Sequence, residues 1–124
     1  MQPLSFETDV ADPLFRFAAG QDDKDTALLR SAFAPVAVLD FRHPARQFGV
    51  MMPLLRGRDE IVAAIVGSTN HLDTTHTITN IRYSQASTET VALAALIEAM
   101  HVEGEAPRRR LLLKNRIGVQ LRHN

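Results

Sequence analysis

Proton-transfer chemistry in this 124-residue chain rests with a few imidazoles and carboxylates. Cysteine is absent, which excludes a thiolate nucleophile, a thiolate zinc site and a disulfide framework. The histidines are His43, His71, His76, His101 and His123, and acids cluster in Asp22-Asp23-Lys24-Asp25. An imidazole whose Nδ1–H is held by a buried carboxylate keeps one tautomer and leaves Nε2 as an acceptor; the carboxylate also favours the imidazolium once a proton arrives. That arrangement suits proton abstraction beside a carbonyl, or an elimination in which the same ring protonates the leaving group. On residues alone, His76 in the Thr-rich run TTHTIT is open between a structural histidine and a general base. His101 is open between a core histidine bonded to a neighbour and a second proton carrier, and Asn115 between a ligand for a substrate oxygen and a sheet-edge or turn role. Asp40 reads as a salt-bridge or capping residue, Asp23 and Asp25 as turn and cap, and His43, His71 and His123 as solvated. His71 and His76 lie at no regular metal-ligand spacing, and without HExxH or a cysteine partner no metal site is expected.

These residues depend on the elements that carry them. Asp12-Pro13 has the form of an N-cap followed by proline at the first helical position, so LFRFAAG is expected as a short helix, with Gly20 and QDDKD as a turn. Asp25 caps a second helix, TALLRSAF, that stops before Pro35. VAVLDF (36–41) is strand-like, 42–49 reads as a loop with Pro44 and Gly49, and MMPLLRG as a short strand or edge. Arg58 to about Asn70 carries Ile61, Val62, Ile65 and Val66 as a helical stripe. From Thr74 the period becomes two. In TVALAALIEAMHVEG, Glu98 should face out, which turns His101 inward beside Ile97, with Met100 facing away. In RRRLLLKNRIGVQLR, Asn115 is the one polar residue in the row Leu111, Leu113, Ile117, Val119, Leu121. Tyr83, seven residues from His76, should point to the opposite face of its strand. Helices first and antiparallel strands after make an α+β layout, a curved sheet over helices with a cavity between the layers.

Composition narrows the function classes. Apolar residues make up 45% and charged residues 23%, as in an ordinary folded domain. Lys plus Arg is 14 and Asp plus Glu is 14, so no global field attracts nucleic acid or an anionic membrane. Residues 108–124 hold six bases and no acid, but their interleaved apolar residues mark a strand, not a phosphate-binding arm. No stretch approaches the roughly 20 apolar residues of a membrane span, and the start MQPLSFETDV has no signal-peptide pattern. One cytoplasmic domain, residues 1–124, is expected.

The segments DDKDTALLRSAF, AVLDF, LLRGRDEIVAAI and TTHTITN, followed by His101, occur in an order that resembles the SnoaL-like, scytalone-dehydratase-like branch of the nuclear-transport-factor-2-like superfamily. The resemblance runs from about Phe15 to Leu121. It implies a cone-shaped α+β barrel, a strongly curved antiparallel sheet packed on N-terminal helices around a pocket. It maps the family's catalytic acid onto Asp22, its strand histidine onto His76 and its second pocket histidine onto His101. Two tyrosines that polarise a substrate carbonyl in scytalone dehydratase are replaced here by Gln21 and Phe41. The sequence stops at LRHN, before the turn, last strand and Trp of relatives, so an unpaired sheet edge is expected.

The resemblance therefore implies a cofactor-free lyase of dehydratase type, or an isomerase, acting on a small hydrophobic, oxygenated or aromatic substrate. His76 would be general base and acid, Asp22 its orienting partner and His101 an assistant. Asn115, Phe41, Phe17, Ile97, Leu55 and Ile65 would line the substrate site. A homodimer through the sheet is the implied assembly, with no nucleic-acid or membrane partner. The competing reading is a module that binds a small ligand, or a dimeric interaction module, on the same fold without chemistry.

Overall fold

In the computed structural model, residues 6–47, 49, 51–85, 90–103 and 110–122 are described. Helix α1 (Phe6–Asp22) begins well before Asp12. Val10, Ala11, Leu14 and Ala18 recur at helical spacing and are all buried, so the stripe they form outweighs the start signal at Asp12-Pro13. Pro13 sits inside the helix with its fixed φ compatible with it, at the loss of one N–H to the carbonyl of residue 9. Asp12 does not cap; it accepts from Arg16 Nε at 2.7 Å, one turn on.

Residues 20–22 are also helical rather than part of a turn. The chain reverses at Lys24, whose φ of 57° is left-handed, and the backbone closes the helix with Asp25 N–H donating to Gly20 O at 2.9 Å and Lys24 N–H to Gln21 O at 3.3 Å. Helix α2 (Thr26–Ser31) follows, its Leu28 N–H capped by the Asp25 carboxylate at 3.0 Å. Gly20 is required where α1 meets α2. A Cβ there would lie 2.5 Å from Leu29 N, and Leu29 is among the most deeply buried side chains.

The expected strand at 36–41 shortens to β1 (Val38–Leu39), which pairs antiparallel with β2 (Leu55–Arg56). Between them, residues 42–47 form a helix, α3 (Arg42–Gln47), where a loop was expected. Pro44 falls in its first turn, where no N–H is needed, and Asp40 accepts from Arg42 N–H at 3.1 Å ahead of it. Helix α4 (Arg58–Thr69) begins after Gly57, which has a φ of 88°, and buries Ile61 and Val62.

Strands β3 (Leu72–Gln85), β4 (Thr90–Glu103) and β5 (Arg110–Arg122) form an antiparallel sheet in the order β3-β4-β5. On β4, Leu93, Ala95, Ile97 and Ala99 are buried in strict alternation. Leu93, Ala95 and Ile97 pack with Val10, Ala11 and Leu14 of α1 to make the core. The fold is α+β, helices against a mainly antiparallel sheet. Among the described residues the strands form two separate sheets and not one closed ring.

One expectation about this sheet is corrected. The register runs Thr79↔Leu96 and then Arg82↔Ala94, so Asn80 and Ile81 together oppose one residue. Asn80 has a φ of 55°, and this bulge shifts the alternation by one. Tyr83 therefore pairs with Leu93 and packs on the core, on the same face as His76 instead of the opposite one.

Candidate functional site

Asp22 is the last residue of α1, and its place is set by the helix stop one residue later. Lys24 in that turn ties it to the start of β3, its Nζ donating to Thr69 O at 2.9 Å and to Leu72 O. The Asp22 carboxylate thereby meets the outer edge of β3, the side not paired with β4.

Three donors converge on it. His76 N–H donates to Oδ2 at 3.0 Å, Thr74 Oγ1–H donates to Oδ1 at 2.9 Å, and His76 Nδ1 lies 2.6 Å from the same Oδ1. An ionised carboxylate only accepts, so the Nδ1 facing it carries the proton and Nε2 is left as the acceptor. The 2.6 Å separation is that of a charge-assisted bond. The His76 side chain is 6% exposed and that of Asp22 22%. Among the described residues, no hydrogen bond to His76 Nε2 occurs.

Aromatic edges fix the imidazole on its other sides. Phe17 meets it with ring centroids 6.2 Å apart at 70°, and His101 with 6.1 Å at 79°. Phe33 in turn meets Phe17 at 5.9 Å and 82°. His101 pairs across the ladder with Thr74, diagonal to His76 and on its face.

Asp22 and His76 line an open cleft of about 390 Å³ between α1 and β3. Phe15, Ala18, Ala19 and Asp22 wall it from the helix at i, i+3, i+4 and i+7 spacing; His76, Thr77 and Ile78 wall it from the strand. The small alanines leave the room, and the Asp22–His76 pair stands in an otherwise mostly apolar wall. In chemical terms this is an imidazole of fixed tautomer beside a space for a small molecule.

The structure thus brings together Asp22, His76, His101 and Phe17. Ile97 is buried in the core opposite Ile78, and Asn115 pairs with Ile97 in the β4–β5 register, its side chain lying outside what is described. Three expected lining residues are elsewhere. Ile65 borders a separate cavity of about 10 Å³ with Gly20, Gln21 and Leu29, because its stripe on α4 packs on the α1–α2 turn. Leu55 is buried in β2 beside Leu39, and Phe41 is half-buried just ahead of α3; neither belongs to the cleft wall. Gln21 is buried, donating Nε2 to Phe17 O at 3.2 Å, and borders that same small cavity. Asp40 binds Arg42 through both carboxylate oxygens, at 2.9 and 2.8 Å, which holds its carboxyl well below the usual range, at about 2. His43 and His71 are exposed, and His123 lies outside the described residues.

Thr74, Ala18, Ala19, Thr77 and Ile78 are among the site residues that sequence reasoning passes over. Thr74 was findable: two residues before His76 on an extended strand, it must share the histidine's face. Among the described residues, no three His, Asp or Glu side chains cluster as a metal site, and no helix is long and apolar enough to cross a membrane.

Comparison with solved structures places this geometry in a known fold. A provisionally named aromatic ring hydroxylase from Novosphingobium aromaticivorans superposes over 100% of this chain and 82% of its own, with a TM-score of 0.79 and 17% identity. A provisionally named scytalone dehydratase from the same organism gives 0.75 and 16%, over 93% of this chain and 72% of its own. A hexachlorocyclohexane dehydrochlorinase gives 0.77 and 13%, over 95% and 75%. Among curated proteins none matches the sequence. The family model of the SnoaL-like domain matches residues 2–122, and the chain belongs to that family.

Proposed function

We propose that this chain, folded as one domain, is an acid–base enzyme that works without a cofactor, a lyase of dehydratase type or an isomerase. Its substrate is a small hydrophobic molecule, oxygenated or aromatic. His76 Nε2 takes a proton from carbon while Asp22 holds Nδ1–H and stabilises the imidazolium. In an elimination the C–H electrons form the double bond, the C–O bond breaks, and His76 returns its proton to the departing oxygen as water. In an isomerisation the proton returns to a different carbon. His101, edge-on to His76, is a second proton carrier, and Asn115 binds a substrate oxygen. The observation that carries this reading is the 2.6 Å contact between His76 Nδ1 and Asp22 Oδ1 in the wall of the cleft. The names of two structural neighbours, a dehydratase and a dehydrochlorinase, are both those of eliminations and support the reaction class.

A second reading, a ligand-binding module, is favoured by the absence of a phenol near His76. Gln21 and Phe41 have none, and Tyr83 pairs six positions along β4 from the partner of His76, about 20 Å away at strand spacing. For either reading, assembly through the outer sheet face is supported by the Thr75–Met100–Leu112 row, in which Leu112 is 48% exposed.

One experiment separates these readings. Small hydroxylated, halogenated and carbonyl-bearing ring compounds are incubated with the protein and the products identified by mass spectrometry. Loss of water or acid, or an isomer, from wild type and none from His76→Ala supports the enzyme. A His76→Ala variant as active as wild type refutes His76 as the base. Compounds bound and returned unchanged establish the binding module.

A further inference from the structure

We propose that Thr74 is a positioning residue for the Asp22–His76 pair, a third member whose hydroxyl fixes the carboxylate against the imidazole. The inference deepens the acid–base reading above and rests on it for its functional consequence, but its structural claim can be tested alone. Asp22 ends a helix, and its carboxylate rotor is not set by the helix backbone. Two of its three donors belong to His76, one from the main chain to Oδ2 and one from the ring to Oδ1. The ring bond changes whenever the ring gains or loses a proton. The Thr74 bond to Oδ1 does not, because a threonine hydroxyl does not titrate in the working range.

Thr74 is well made for that task. It is 5% exposed, one of two buried polar residues among those described, so little water competes for its hydroxyl. A β-branched side chain on a strand has restricted χ1, so β3 aims the hydroxyl before the carboxylate arrives. Thr74 and His76 share a strand face, and the bulge at Asn80 comes later, so their spacing is rigid. Its ladder partner is His101, which puts the hydroxyl within the group of residues that surrounds the dyad. The neighbouring Thr75 is exposed on the other face and serves as an internal comparison.

The test is nuclear magnetic resonance on the full chain without substrate, reading the His76 ring nitrogens and the solvent exchange of its Nδ1 proton. Thr74→Val and Thr74→Ala remove the hydroxyl, Thr74→Ser keeps it, and Thr75→Val is the control. A hydrogen bond to a charged group is the interaction removed, so exchange of the ring proton should quicken about tenfold in the Thr74→Val and Thr74→Ala proteins. The Thr74→Ser and Thr75→Val proteins should match wild type. Backbone amide exchange on β4 separates this from general loosening, which would raise both together. The serine and alanine variants differ by one hydroxyl and decide the matter if the valine variant does not fold. Ring-proton exchange that is unchanged in Thr74→Ala, or equal in Thr74→Ser and Thr74→Ala, overturns the proposal. Where a substrate is in hand, kcat should fall about tenfold in Thr74→Ala with KM nearly unchanged, and Thr74→Ser should restore it. Failure to find any substrate would sink the enzyme reading and leave the exchange result standing.

Discussion

Replacing Asp22 by Asn changes one atom and should invert the chemistry of His76. Two carboxylate oxygens accept three hydrogen bonds, from Thr74, the His76 ring and the His76 main chain. An asparagine has one oxygen and one NH₂, and it can be placed in two ways. With its oxygen at the Oδ1 position, Thr74 and the ring keep their bonds. The NH₂ then faces His76 N–H at about the present 3.0 Å, donor against donor. With its oxygen at the Oδ2 position, the main-chain bond survives and the NH₂ faces Thr74 and the ring. Thr74 can rotate its hydroxyl to accept, and Nδ1 can accept if the ring moves its proton to Nε2.

The first placement strands a main-chain donor, at a cost of about 1–3 kcal/mol. The second sets no donor against a donor. It should therefore dominate by roughly 5- to 150-fold, with His76 mostly in the Nε2–H form. That ring offers the cleft a donor and no base. The corresponding change in a serine-protease triad lowers kcat about 10⁴-fold by the wrong tautomer, and a loss of similar order is expected here. Stability should drop only about 1 kcal/mol, because charge-assisted bonds become neutral ones while their number is kept. The assay is ring ¹⁵N spectroscopy of the variant beside its turnover and melting point. A folded Asp22→Asn protein whose His76 keeps its proton on Nδ1 would refute the reasoning, as would one with undiminished turnover.

Two further outcomes follow from local geometry. Gly20→Ala should lower the melting temperature by about 6–10 °C, a loss of about 2 kcal/mol. The added Cβ would lie 2.5 to 2.7 Å from Leu29 N, Cα and Cβ, where carbon contacts need about 3.5 Å or more, and the gain in helix propensity of up to about 1 kcal/mol does not offset the clash. A rise in melting temperature would contradict the close approach of α1 and α2. For Asp40, whose carboxyl is held at about 2 by its bonds to Arg42, the folded value lies below the unfolded one. The contribution of that pair is therefore complete above the ordinary carboxyl range near pH 4 and is lost as pH falls through about 2. Carboxyl ¹³C titration should give that low midpoint in wild type and an ordinary one in Arg42→Ala; equal midpoints would remove Arg42 as the cause.

Much of the scaffold is legible because local signals and packing agree. Asp25 caps where a helix needs an oxygen, the stripe of Ile61 and Val62 is buried as written, and β4 alternates without interruption. The order of motifs also places Asp22 and His76 at elements that do meet. What misleads are signals that tertiary packing overrides. Asp12-Pro13 is a good start signal, yet Val10 and Ala11 before it have core to bury, so the helix runs through. The expected loop at 42–49 holds a helix because Pro44 suits a first turn as well as it suits a loop.

The misplacement of Tyr83 is the most instructive, because its cause also explains why the site could be read. Counting by twos holds only between bulges. Without the extra residue at Asn80, Ile81 and Tyr83 would face outward and Arg82 and Ser84 would enter the core. Burying an isoleucine and a tyrosine is worth a few kcal/mol, whereas an asparagine in the left-handed region costs about 1–2 kcal/mol, so the bulge prevails. Asn in TNIRY is the only local trace of it, and that signal is too common to act on. Thr74, His76 and Ile78 lie on the near side of the bulge, in one unbroken register with His101, Ala99 and Ile97. Their shared face is therefore fixed by strand geometry alone, and the carboxylate, hydroxyl and two imidazoles converge there whatever the chain does beyond Asn80.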